Sequence, residues 1–73
     1  MSRGVEHLVT MANDIANFFQ SESDRDVAVD GVLNHIKRFW DPRMRKKIAA
    51  HFTEHNGDGL SDLARAAVAR LAS

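Results

Sequence analysis

The chain has 73 residues, no cysteine, and ten basic residues balanced by ten acidic ones. This length predicts one domain with a small core, and small cores commonly gain stability by binding another chain. The missing cysteine excludes disulfides, thiolate metal sites and iron–sulfur ligation, and the zero net charge disfavours a surface devoted to nucleic acid.

The first fourteen residues carry polar or charged side chains every few positions. They offer neither the apolar run of a signal peptide nor a stretch long enough to cross a bilayer. We therefore expect a cytoplasmic protein without a membrane contact.

Apolar residues recur with the period of an α-helix in four segments, and no segment alternates like a strand. This predicts an all-α fold, a small four-helix bundle with short turns, in a single domain over residues 1–73. The predicted helices cover about residues 4–20, 24–40, 42–56 and 59–72. The predicted core contains Phe19, Val32, Ile36, Trp40, Ile48, Phe52, Leu63 and Leu71.

The sequence also predicts an apolar flank outside the core on the first helix and a cap for the second helix. Met11 and Phe18 lie seven residues apart, on a flank outside the core stripe of the first helix. Ser23 is predicted to cap the second helix, whose core face is predicted to end with Phe39 and Trp40.

The third helix is predicted to start at an abrupt corner, because Asp41 can cap a helix and Pro42 fits its first position. The cations Arg43, Arg45 and Lys46 follow at once, where the helix dipole disfavours positive charge. Two interpretations stay open: surface ion pairs, or a docking surface that recognises anions. The expected acidic partners for ion pairs are Asp41, Asp26 and Asp30.

Three histidines are candidate metal ligands: His51 and His55 on the third helix, with His35 on the second. A zinc-protease motif requires a glutamate directly after the first histidine, and none follows His51. We interpret His51 and His55 as partly buried histidines at a helix interface. The segment EHNGDGLSD, residues 54–62, lacks the ligand spacing of a calcium loop and is predicted to be a turn between helices.

Three strings resemble one known family: LVTMANDIANFF at residues 8–19, HIKRFWDPRMRKKI at 35–48 and GLSDLARAAVARL at 59–71. Together they resemble the delta subunit of soluble, NAD-dependent, molybdenum-containing formate dehydrogenases, most specifically through FWDPRMR. The resemblance implies an accessory subunit without catalytic residues, whose larger partner subunits carry the molybdenum, iron–sulfur, flavin and NAD sites.

The leading hypothesis is therefore a non-catalytic subunit that binds the larger formate dehydrogenase subunits and has no cofactor, metal or catalytic residue of its own. A helical nucleic-acid-binding module using the basic start of the third helix is the alternative, and a small metal enzyme is a third hypothesis. The predicted partner-binding residues are Trp40, Asp41, Pro42, Arg43, Met44, Arg45, Met11 and Phe18.

Overall fold

The computed structural model describes residues 3–73, so the first two residues of the predicted domain lie outside it. The described chain forms four α-helices and no strand, which confirms the all-α prediction. No helix within residues 3–73 combines the length and apolar character needed to cross a bilayer. The helices are α1 (Arg3–Phe18), α2 (Arg25–Phe39), α3 (Pro42–His55) and α4 (Asp62–Ala72).

The first helix ends two residues before the predicted end. The amide of Phe19 donates to the carbonyl oxygen of Ala16 at 3.0 Å, and the amide of Gln20 donates to that of Asn17 at 3.3 Å. Bonds that span three residues tighten the last turn and end the α-helical pattern, although the apolar periodicity continues to Phe19.

The cap of α2 is Asp24, so the predicted Ser23 cap is wrong by one residue. One carboxylate oxygen of Asp24 accepts from the amides of Asp26 at 3.0 Å and Val27 at 3.3 Å. The carboxylate accepts hydrogen bonds from two free amides, and its negative charge is favourable at the positive end of the helix dipole, where a serine hydroxyl carries no charge.

The turn before α4 is longer than predicted. Gly57 and Gly59 have φ angles of 67° and 90°, and the helix starts at Asp62 after the Ser61 cap. The side chain of Asn13 on α1 holds this turn, because its Nδ2 donates to the carbonyl oxygen of Gly59 at 3.0 Å and its Oδ1 accepts from the amide of Ser61 at 2.8 Å.

The core lies around α4, which packs against all three other helices, whereas α2 and α3 pack chiefly against α1 and α4 rather than against each other. Small side chains let the helices approach closely. Fully buried alanines are Ala12, Ala16, Ala64 and Ala67.

Most of the predicted core is confirmed, with one clear error. Five predicted residues are buried, namely Val32, Ile36, Trp40, Ile48 and Leu63. Phe19, Phe52 and Leu71 are only partly buried and pack against the edge of the core. Phe39 was predicted on the core face of α2, but its side chain is 67% exposed because it ends the helix at the surface.

Phe19 covers α2 at Gly31. A Cβ atom at residue 31 would lie 2.4 Å from the nearest atom of the Phe19 ring, closer than real Cβ contacts. The glycine therefore leaves room for the Phe19 ring to pack against α2. Glycine at this position costs about 1 kcal/mol in helix propensity relative to alanine.

We expect Trp40→Ala to lower the free energy of unfolding by about 3 to 5 kcal/mol, because removing a buried ring leaves a cavity. The neighbouring change Phe39→Ala is the control and should cost about 0.5 kcal/mol or less, since that ring is mostly in solvent. Urea denaturation followed by circular dichroism measures both. Equal losses would contradict the burial of Trp40.

We expect Gly31→Ala to destabilise the native chain, because the new Cβ atom forces the Phe19 ring away from α2. In a Phe19→Ala background the obstacle is gone, and the same change should stabilise the protein by up to about 1 kcal/mol through helix propensity. Melting temperatures of the four chains in this double-mutant cycle give the sign of each step. A Gly31→Ala effect of the same sign in both backgrounds would refute the contact.

Candidate docking surface

The corner between α2 and α3 is built by three consecutive residues. Trp40 leaves the helix with φ −86° and ψ 138° and is buried. Asp41 is also extended, and its Oδ1 accepts from the amide of Met44 at 2.9 Å. Pro42 occupies the first turn of α3, where its missing N–H leaves no hydrogen bond unmade. The predicted abrupt corner is confirmed.

Arg45 joins the two helices at this corner. Its Nη1 donates to the carbonyl oxygens of Trp40 at 2.5 Å and Lys37 at 3.3 Å, at the carboxyl end of α2. A cation is unfavourable in the first turn of α3 but favourable beside the free carbonyl groups of α2. The unusual placement of this charge thus has a structural cause, and Arg45 serves first as a link between the helices.

The other cations of the corner have no acidic partner among the described residues. Among the side chains of residues 4–73 the single ion pair joins Arg70 to Asp30, so the interpretation that Arg43, Arg45 and Lys46 form surface ion pairs is not supported. Exposed cations with no carboxylate partner remain available to an anionic ligand. They are Lys37, Arg38, Arg43 and Lys46.

An aromatic ring lies among these cations. Phe39 stacks against the ring of His35 in a tilted arrangement, with 4.8 Å between the ring centroids. The guanidinium carbon of Arg38 lies 5.6 Å from the centroid of the same ring. We call the exposed residues at this site the corner surface. They are Arg38, Phe39, Asp41, Pro42 and Arg43.

The predicted partner-binding residues therefore differ in what they can do. Asp41, Pro42 and Arg43 are exposed, whereas Met44 and Arg45 are half-buried and Trp40 is buried. The first three can contact a partner, and the second three position them. Phe39 was missed as a surface residue, because the helical period places it near the core stripe of α2.

The Met11 and Phe18 flank is a separate surface. Phe18 is 80% exposed and its ring meets the Phe19 ring edge-on at 5.3 Å, while Met11 is half-buried against the core. Phe19 sits on Gly31, eight residues before Phe39, which is about 12 Å along α2. Phe18 therefore lies beside the first half of α2, away from the corner.

One of the two histidines of α3 supports the turn before α4. The Nε2 of His51 donates to the carbonyl oxygen of Asp58 at 2.8 Å, and the His55 ring lies 5.8 Å away, centroid to centroid. His51 is half-buried, but His55 is exposed, so only the first fits the predicted interface position. Across residues 3–73, no group of three or more histidine or acidic side chains is arranged to hold a metal.

The chain matches the model of one protein family over residues 7–68. That family is described as the NADH-dependant formate dehydrogenase delta subunit FdsD. The match confirms the resemblance seen in the sequence, and it includes the whole corner surface. No curated protein and no solved structure shows a significant match to the chain.

We expect Arg45→Ala to lower the free energy of unfolding by about 1 kcal/mol, because two carbonyl groups of α2 lose a charged donor. Arg45→Lys should recover part of the loss, since an ammonium keeps the charge but not the planar fork. Arg43→Ala is the matched control on the exposed side of the same turn and should leave stability unchanged. Thermal denaturation of the three variants tests this, and equal melting temperatures would contradict the linking role.

Proposed function

The chain belongs to the delta-subunit family of NADH-dependent formate dehydrogenases, and we propose on that premise that it is a non-catalytic accessory subunit. In this proposal it binds the larger subunits of the enzyme complex and supports their assembly or activity. It works in the cytoplasm, together with a soluble enzyme that exchanges electrons with NADH.

The observation that carries the proposal is the set of exposed cations on a corner whose backbone is held by its own side chains. Asp41 caps α3 and Arg45 caps α2, so the corner needs no partner to keep its shape. A surface ordered in advance loses less conformational entropy on binding. The exposed arginines can each grip a carboxylate with two parallel hydrogen bonds.

A non-catalytic role agrees with the chemistry of the sequence. The chain has no cysteine with which to ligate an iron–sulfur cluster. His51, the half-buried histidine of α3, donates to a backbone carbonyl and so stabilises a turn. The redox chemistry of the complex would then lie in its larger subunits.

The proposed contacts divide into two groups. Asp41, Pro42 and Arg43 contact the partner directly. Trp40, Met44 and Arg45 hold these three residues in position. Phe18 and Met11, on one flank of α1, form a second contact. The same cations would also suit phosphate groups, so a nucleic-acid partner is the competing outcome of the experiment below.

We expect Arg38→Ala combined with Arg43→Ala to weaken binding to the dehydrogenase about tenfold or more, because anchoring arginines at an interface are commonly worth ~2 kcal/mol. Association is measured by affinity co-purification of the full chain with the untagged complex from its native host. The helical signal and melting temperature should not change, since both side chains are exposed.

The control pair is Arg25→Ala with Arg70→Ala, two exposed arginines outside the corner. Arg65 is unsuitable, because it is half-buried and its Nε is enclosed without a hydrogen-bond partner. Absence of the dehydrogenase subunits from the wild-type eluate would refute the proposed function. Equal losses from both pairs would refute the corner as the docking site, and binding abolished by nuclease treatment would favour the nucleic-acid alternative.

A further inference from the structure

Phe39 and Trp40 are adjacent aromatic residues with opposite environments. Trp40 is 3% exposed and belongs to the core, whereas Phe39 is 67% exposed. Among the described residues, the other large apolar side chains with comparable exposure are Phe18 and Val27, both outside the corner. A phenyl ring that is mostly in solvent contributes little to folding, and its apolar surface can be buried by a partner.

The ring of Phe39 is held in place although it is exposed. His35, one turn earlier on α2, stacks against it at 4.8 Å, and the guanidinium of Arg38 lies 5.6 Å from its centroid. Both contacts come from the same helix, whose end is fixed by Arg45. A ring that is already ordered loses little rotamer freedom when a partner covers it.

Arg38 lies beside this ring, and two further cations are close to it in the chain. Lys37 and Arg38 precede it in the last turn of α2, and Arg43 follows in the first turn of α3. In the described part of the chain, none of these three cations lies within ion-pair distance of a carboxylate. Asp41, the nearest acid in sequence, has an oxygen bound to the amide of Met44 as the cap of α3.

An exposed aromatic ring beside an arginine, with further unpaired cations close in the chain, has the form of an interface anchor. Such anchors enter an apolar pocket at the centre of an interface while charges at the rim select the partner. We propose that Phe39 is the anchor of the corner surface and that its binding site is an apolar pocket bordered by carboxylates on a larger dehydrogenase subunit. Arg38 and Arg43 pair with that border. The inference rests on the proposed function, which it deepens by naming the partner's chemistry.

The test measures the affinity of the full chain for the purified dehydrogenase complex lacking this subunit. Phe39→Ala should weaken binding at least tenfold, and Phe39→Leu should restore part of the loss because it refills an apolar pocket. Val27→Ala is the matched control, since this side chain is also on α2 and is 51% exposed. It should change the affinity less than twofold.

The salt dependence of binding tests whether carboxylates border the proposed pocket. Charge reversal by Arg38→Glu should weaken binding more at low salt than at high salt, because repulsion from carboxylates is screened by ions. The Phe39→Ala loss should be nearly independent of salt, since it removes an apolar contact. A loss that grows at high salt for Arg38→Glu would contradict an acidic border.

These measurements separate failure of the proposed function from failure of the Phe39 anchor. If the wild-type chain does not bind the complex, the proposed function fails and this inference fails with it. If the wild type binds while Phe39→Ala and Val27→Ala are indistinguishable, the anchor alone is refuted. If sedimentation shows a wild-type dimer that Phe39→Ala converts to a monomer, the pocket belongs to a second copy of the chain and the proposal is overturned.

Discussion

The hydrogen bonds from Arg45 to the carbonyl groups of Lys37 and Trp40 fix the junction of α2 and α3. These two helices do not pack face to face, since each lies mainly against α1 and α4. Their relative direction therefore depends on α4 on one side and on the corner residues on the other. Because Arg45 supplies the link, the charges carried by the two helices meet in a single surface.

This junction also explains how a small core and an exposed aromatic ring coexist. Trp40 departs from helical backbone angles, which turns its side chain inward, whereas Phe39 ends the helix and stays outside. The core gains its largest side chain at the point where the chain changes direction. The same change of direction presents the adjacent ring, so stability and the proposed recognition originate in one short segment without competing for the same residues.

The sequence predicted those features that depend on strong local signals. Helical periodicity identified four helices, and Asp41 followed by Pro42 located the corner. Three features depended on information outside these patterns. Phe39 lies near the helical stripe, and its exposure follows from its place at the end of α2, where none of the other three helices covers it. The role of Arg45 depends on the carboxyl end of α2, a different helix. The packing of Phe19 depends on Gly31, twelve residues away. The docking role of the predicted partner-binding residues remains a prediction.

The two hydrogen bonds of the Asn13 side chain bear on the order in which the helices pack while the chain is being synthesised. Its two partners, the carbonyl of Gly59 and the amide of Ser61, lie 46 and 48 residues further along the chain. Helix α1 therefore cannot form these two hydrogen bonds until the turn before α4 has also been synthesised. Since α4 packs against all three other helices, the packing of α1 is completed only when α4 docks.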